Sequence, residues 1–169
     1  MSEDRFANIA TLELTLSGAN TLTFQELRTN TGIDADRKSA TALLIDEIDY
    51  FVGTAVLAEM TASGDVIVGG LTISNAVTDL TDFTDRRILD TFLYQRGDLG
   101  TAASGWMHTF PLRHQWFPPM IVGERSVFLG MVTTGLASAA VLRCRIYYRV
   151  VTLTQGEFIE IAEVFRLVG

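Results

Sequence analysis

The sequence holds one cysteine, three prolines, two histidines and a single lysine in 169 residues. Each scarcity closes off a class of protein. Cys144 alone makes no intrachain disulfide, and no CxxC or Cys/His cluster has zinc-binding spacing. His108 and His114 stand six residues apart with no third histidine. On one strand that spacing is about 20 Å, too far for one metal ion. No G-x-S-x-G, G-x-x-x-x-G-K-[ST] or G-x-G-x-x-G run occurs, so nucleophile-elbow and phosphate-cradle chemistry have no anchor. The sequence therefore assigns no catalytic residue, no cofactor and no metal. Residues 1–8 are polar and charged, without an apolar secretory core. Residues 131–142, within an uncharged stretch, are too few to span a bilayer. The expectation is a soluble protein made and kept in a cytoplasm.

What is present favours strands. Threonine, valine and isoleucine number 20, 13 and 11, and β-branched side chains suit a pleated surface. The length suits one domain, residues 1–169, able to bury a core without staples. The formal charge of −7 repels free nucleic acid unless cations gather on one surface. Twelve of the thirteen cations are arginine, Lys38 being the exception. Arginine suits fixed bidentate pairs better than lysine does.

Residues 11–16 alternate Leu12, Leu14 and Leu16 with Thr11, Glu13 and Thr15, the period of a half-buried strand. Residues 21–27 resume strand character, and 28–39 are loop-like. Residues 41–52 predict a strong strand, with Leu44, Asp46, Ile48 and Tyr50 on one face and Ile45, Glu47, Asp49 and Phe51 on the other. Residues 55–60 are short and apolar, of no assignable class. In residues 65–74, Gly69-Gly70 interrupts an apolar run and predicts a bulge or a close backbone approach. Residues 86–94 fit either period. Residues 139–153 predict the longest strand, placing Arg143, Arg145, Tyr147 and Arg149 on one face and Leu142, Cys144, Ile146, Tyr148 and Val150 on the other. Thr154 and Glu157 have capping-box spacing and open a short amphipathic helix over 154–166. Seven to nine strands with almost no interior helix predict an antiparallel sandwich or barrel.

Several constellations bear on function. Asp46, Glu47 and Asp49 fit an acid/base pair, or surface charge facing Arg143, Arg145 or Arg149 across strands or subunits. The arginine face fits a phosphate backbone or carboxylate partners; with no polybasic arm, ion pairing is the favoured reading. Asp79, Asp82 and Asp85 offer oxygens to Ca²⁺ but lack the glycine and glutamate of an EF-hand, which leaves helix capping or a solvated loop. Cys144 shares its face with apolar residues and reads as core. Trp106, Phe110, Trp116 and Phe117, followed by Pro118-Pro119, suit a sugar platform, a subunit contact or plain packing.

The run Leu43-Leu44-Ile45-Asp46-Glu47-Ile48-Asp49-Tyr50-Phe51 resembles the early sheet strand of single jelly-roll capsid proteins of small icosahedral viruses. Trp116-Phe117-Pro118-Pro119-Met120-Ile121-Val122 is similar to their proline-bearing strand, and residues 126–133 and 139–153 look like their last two strands. The resemblance covers residues 10–153 as a pattern of strands. It implies an all-β fold, an eight-stranded antiparallel jelly-roll sandwich with a short C-terminal helix and a flexible N-terminus over 1–8. It implies a coat subunit that self-assembles through loop and edge contacts into pentameric or hexameric capsomers of a virion put together in the host cytoplasm. Many such proteins carry a basic N-terminal arm. Its absence is closer to arm-less, sphaerolipovirus-like coats, with weak or no nucleic-acid contact and a second coat protein as a candidate partner. Arg143, Arg145, Arg149, Asp46, Glu47 and Asp49 then line an interface or the lumen, with Trp106, Trp116 and Phe117 as aromatic contacts. Two other readings stand beside this one, a carbohydrate-binding β-sandwich and a cupin-like enzyme.

Overall fold

Leu12, Leu14 and Leu16 all turn inward, as their alternation requires. They belong to the first long strand of a computed structural model that describes residues 2–3, 8–29, 31–34, 38–62, 64–82, 84–96 and 112–166. Among these residues the strands are β1 (Ser2–Glu3), β2 (Asn8–Thr15), β3 (Thr23–Arg28), β4 (Gly32–Asp34), β5 (Ser39–Val52), β6 (Val66–Thr72), β7 (Ile88–Gln95), β8 (Leu112–Val122), β9 (Ser126–Thr134) and β10 (Val141–Thr154). Helix α1 (Thr54–Glu59) follows β5, and α2 (Gln155–Arg166) follows β10. The expected eight strands are thus ten, because β1 and β4 are short additions. Ser2–Glu3, expected as part of a loose end, pair with Val151 and Thr152 of β10.

The strands form two antiparallel sheets packed as a sandwich. In the larger sheet β10 and β5 are central. β1 and β2 flank β10, while β4 and β8 flank β5. The smaller sheet runs β3-β9-β6-β7. Between them lies one core, with Ile45, Ile48 and Tyr50 of β5 and Leu142, Cys144 and Ile146 of β10 facing Ile67 and Leu71 of β6 and Val127, Leu129 and Met131 of β9. Helix α1 adds buried Val56 and Leu57 to this core. The residues that fit either period became β7, because pairing with β6 along residues 66–72 decided for the extended form.

Both outer faces are partly covered. Helix α2 lays Phe158 and Ile161 over Ala40, Ala42, Leu44, Val151 and Leu153. Its N-terminus is the predicted capping box. The Glu157 carboxylate accepts from the Thr154 amide at 2.8 Å, and the Thr154 hydroxyl accepts from the Glu157 amide at 3.2 Å. The backbone N–H of Thr154, then its hydroxyl, holds the Glu157 carboxyl below its ordinary range. On the smaller sheet, Val77 and Leu80 of the segment after β6 pack with Val68, Phe24 and Val132. Gly69 explains its own position. A Cβ there would sit 2.5 Å from the Phe92 ring, which lies directly on the glycine backbone.

One element departs from the alternation read in the sequence. Across β5 and β10, Tyr147 pairs with Glu47 but Tyr148 pairs with Ile45, so Asp46 is an extra residue. This β-bulge puts two consecutive side chains on the outer face. Leu44, Glu47 and Asp49 therefore lie outside, and Ile45, Ile48 and Tyr50 inside. The expectation that grouped Leu44 with Ile48 and Tyr50 is corrected by that single residue. Deleting Asp46 is expected to leave a folded protein, because Ile45, Glu47 and Ile48 then alternate without interruption. The cost is about 1 kcal/mol for the partly exposed pair it forms with Arg149. Strict alternation predicts the opposite, since the same deletion would turn every later side chain of β5 to the wrong face. Denaturant unfolding of the deletion variant separates the two.

Candidate functional site

The outer face of the larger sheet carries the charged residues singled out in the sequence. Glu13 on β2 stands opposite Arg143 on β10, and they pair at 2.6 Å. Asp46, freed by the bulge, takes Arg149 through two bonds of 3.0 and 2.7 Å. Asp49 is 1% exposed and sits between Arg145 of β10 and Arg113 of β8. It chooses Arg113: Nε donates to Oδ1 at 2.7 Å and a terminal nitrogen to Oδ2 at 3.2 Å, while the Tyr147 hydroxyl donates to Oδ2 at 3.2 Å. The same Nε lies 2.9 Å from Glu47, whose carboxylate also accepts from Gln115. Bonding to Asp49 pushes the Arg113 guanidinium above its ordinary value. Arg145 instead stands over the Phe51 ring at 5.5 Å.

Of the predicted cross-strand pairs between Asp46, Glu47, Asp49 and the β10 arginines, the structure brings together Asp46 and Arg149. Glu47 and Asp49 turn to Arg113, a residue set among aromatics in the sequence. The signal was there: Arg113 and Gln115 alternate with His114 and Trp116. On this face three arginines, Arg113, Arg143 and Arg149, pair with the four carboxylates, and Arg145 stands over the Phe51 ring. A phosphate backbone would have to break those pairs to bind.

The aromatic residues separate. Trp106 and His108 lie outside the described residues, as does Phe110. Trp116 turns toward the core and meets His114 edge-on at 6.5 Å. Phe117 is fully exposed. It belongs to a stretch of four residues, 116–119, that opposes Asp46 alone, since Gln115 pairs with Glu47 and Met120 with Ile45.

A second cluster joins the two sheets from inside, and no sequence pattern announced it. Asp90 of β7 accepts from the Tyr50 hydroxyl of β5 at 2.8 Å and lies 2.9 and 2.8 Å from Nδ1 of His114 on β8. Tyr50 is 1% exposed. Burial first, then the Asp90 carboxylate, raises its pKa well above the ordinary value. Burial likewise raises the Cys144 thiol, with the Asp90 and Asp49 carboxylates adding to the shift. Among the described residues no three His, Cys, Asp or Glu side chains converge as a metal ion would need.

Linkage fixes the sign of the pH response. Both groups titrate higher in the folded state than the 10.0 and 9.0 usual for tyrosine and cysteine. Folded protein thus holds these protons more tightly, and their stabilisation is complete below the unfolded values and lost as pH rises beyond them. The urea midpoint is expected to fall between about pH 8 and about pH 10.5. Over the same experiment at pH 8, Cys144 is expected to react with a thiol reagent only on unfolding.

Asp79 and Asp82 act locally. Each carboxylate accepts from both the amide and the hydroxyl of the threonine two positions on, and Asp85 does the same with the Arg87 amide and guanidinium. The three-residue spacing builds a stair of turns rather than an ion cage. Elsewhere, a cavity of about 290 Å³ opens between the sheets, lined by Leu27, Arg28, Thr29, Thr41, Leu43, Tyr148 and Val150. No helix among the described residues is long and apolar enough to cross a membrane. A scan of protein-family models finds no match to the chain, and a search of curated proteins finds none either.

Proposed function

We propose that this protein is a jelly-roll coat subunit that assembles with copies of itself into a closed, virion-type shell. The observation that carries the reading is strand pairing. Taking the eight long strands β2, β3, β5, β6, β7, β8, β9 and β10 in order, the first pairs with the last, the second with the seventh, the third with the sixth and the fourth with the fifth. This nesting supports reading the two sheets as one long antiparallel hairpin rolled up, as in the double Greek key of viral coats, lectins and cupins.

Within that group, fold alone does not choose a function; the surface supports the choice. The Trp116 ring, half of the expected sugar platform, is turned inward. The single described histidine is engaged by Asp90. The broad face of the larger sheet is plated with compensated charge, so copies approach it without long-range repulsion. The net charge of −7 suits a coat with little or no contact to the genome. Wedge-shaped copies in rings of five or six, with or without a second coat protein, close by symmetry, so weak contacts sum.

Size-exclusion chromatography with light scattering and electron microscopy tests the proposal. Capsomers or shells are expected at high concentration. A strictly monomeric protein across salt and concentration overturns it.

A further inference from the structure

Phe117 is 102% exposed, and among the described residues it is the one aromatic side chain of the exposed large hydrophobics. Its backbone gives it little freedom to hide. Residues 117–119 lie in the unpaired stretch of β8 opposite Asp46. They are anchored by Trp116 before and Met120 after, both packed against the core. Pro118 and Pro119 have fixed φ angles and no amide hydrogen. The ring is therefore a presented knob, with about 150–250 Å² of surface to bury.

The same chain carries a hole. The cavity of about 290 Å³ is lined by Leu27, Leu43, Tyr148 and Val150, with Thr29 and Thr41 beside them. Tyr148 and Val150 are only half-buried although they sit on core-facing positions of β10, so the space opens to solvent. An apolar cavity of about 150 Å³ already accepts a benzene ring. Arg28 borders the cavity with an 86% exposed side chain, held only at 3.5 Å by Glu26. A guanidinium there complements the negative face of an aromatic ring.

We propose that Phe117 of one copy seats in this cavity of a second copy, with Arg28 of the receiving copy against the ring. The inference rests on the assembly reading above and names its contact. Its occupant is a second copy because each molecule supplies both halves, and no residue of β8 lines the cavity. Knob and hole are different patches, so the contact is head-to-tail. Such contacts build rings when the rotation closes.

Exposed positions make the test safe for the fold. Phe117→Ala is expected to raise the concentration for half-assembly about tenfold or more, with unchanged thermal unfolding. Gln115→Cys and Gln25→Cys proteins, exposed positions that keep the Phe117 ring and the Arg28 guanidinium, are mixed and treated with a short bismaleimide; they are expected to cross-link to each other and not within either preparation alone, while buried Cys144 stays silent. If the unaltered protein assembles while Phe117→Ala assembles equally well and the mixture does not cross-link, this contact is wrong and assembly stands. If the unaltered protein stays monomeric to millimolar concentration and the mixture yields no cross-linked dimer, both readings fall.

Discussion

Asp90→Ala is expected to destabilise the protein by about 3 kcal/mol and to lower its melting temperature by roughly 6–12 °C. The reason lies in what Asp90 leaves behind. Its carboxylate is the acceptor for the Tyr50 hydroxyl, which has essentially no access to water. It also holds Nδ1 of His114. Alanine strands a buried donor, and desolvation of that donor is then uncompensated at about 1–3 kcal/mol. The bond crosses from β7 in one sheet to β5 and β8 in the other, so the loss falls on the edge where the sheets meet. Tyr50→Phe removes the donor along with its need, and about 1 kcal/mol is expected. A double-mutant cycle over Tyr50 and Asp90 should return a coupling above about 1 kcal/mol. Denaturant melts of the three variants decide the matter; an Asp90→Ala protein within about 0.5 kcal/mol of the original would show that the cluster is solvated and inert.

This cluster also marks where sequence reading stops. Tyr50, Asp90 and His114 are far apart in the chain, and each has ordinary neighbours. Only the packing of sheet on sheet makes them one site. The cavity beside Leu43 and Val150 is equally invisible, because it is a property of spacing between layers. By contrast β2 and β10 were legible, since strict alternation over many residues has one solution when one face must be buried. The capping box of α2 was legible too, because Thr154 and Glu157 satisfy each other locally. Errors arose where one residue carries the information. Asp46 is a plain acidic residue in a strand, yet its insertion re-aims half of β5. The turns at Asp79, Asp82 and Asp85 sit at an intermediate level: the spacing is visible, but the partners two positions on, Thr81, Thr84 and Arg87, are what turn a cation candidate into a backbone device.

Phe158→Ala is expected to cost about 3 kcal/mol, at the low end for a buried phenylalanine because the site is near the surface. The ring is 9% exposed and is the main anchor of α2 on the larger sheet. Its seat was made by small residues. Ala40 and Ala42 keep β5 low beneath the helix, and a Cβ on Gly123 would already be 3.1 Å from the ring. A helix of this length is marginal without tertiary contacts, so losing the anchor loosens the whole lid. Ala40, Ala42, Leu44, Val151 and Leu153 would then form an apolar patch on an outer face, and such patches drive association of the wrong kind. The variant should therefore unfold at lower urea and bind a hydrophobic dye before its main transition. Ile159→Ala is the control, since that side chain is 48% exposed on the same helix; about 0.5 kcal/mol or less is expected. Equal costs at the two positions would mean that helix propensity, not the seat on the sheet, holds α2 in place. In the assembly proposed for this protein that distinction matters, because a lid fixed by its own sheet leaves the broad charged face beside it free to meet a neighbour.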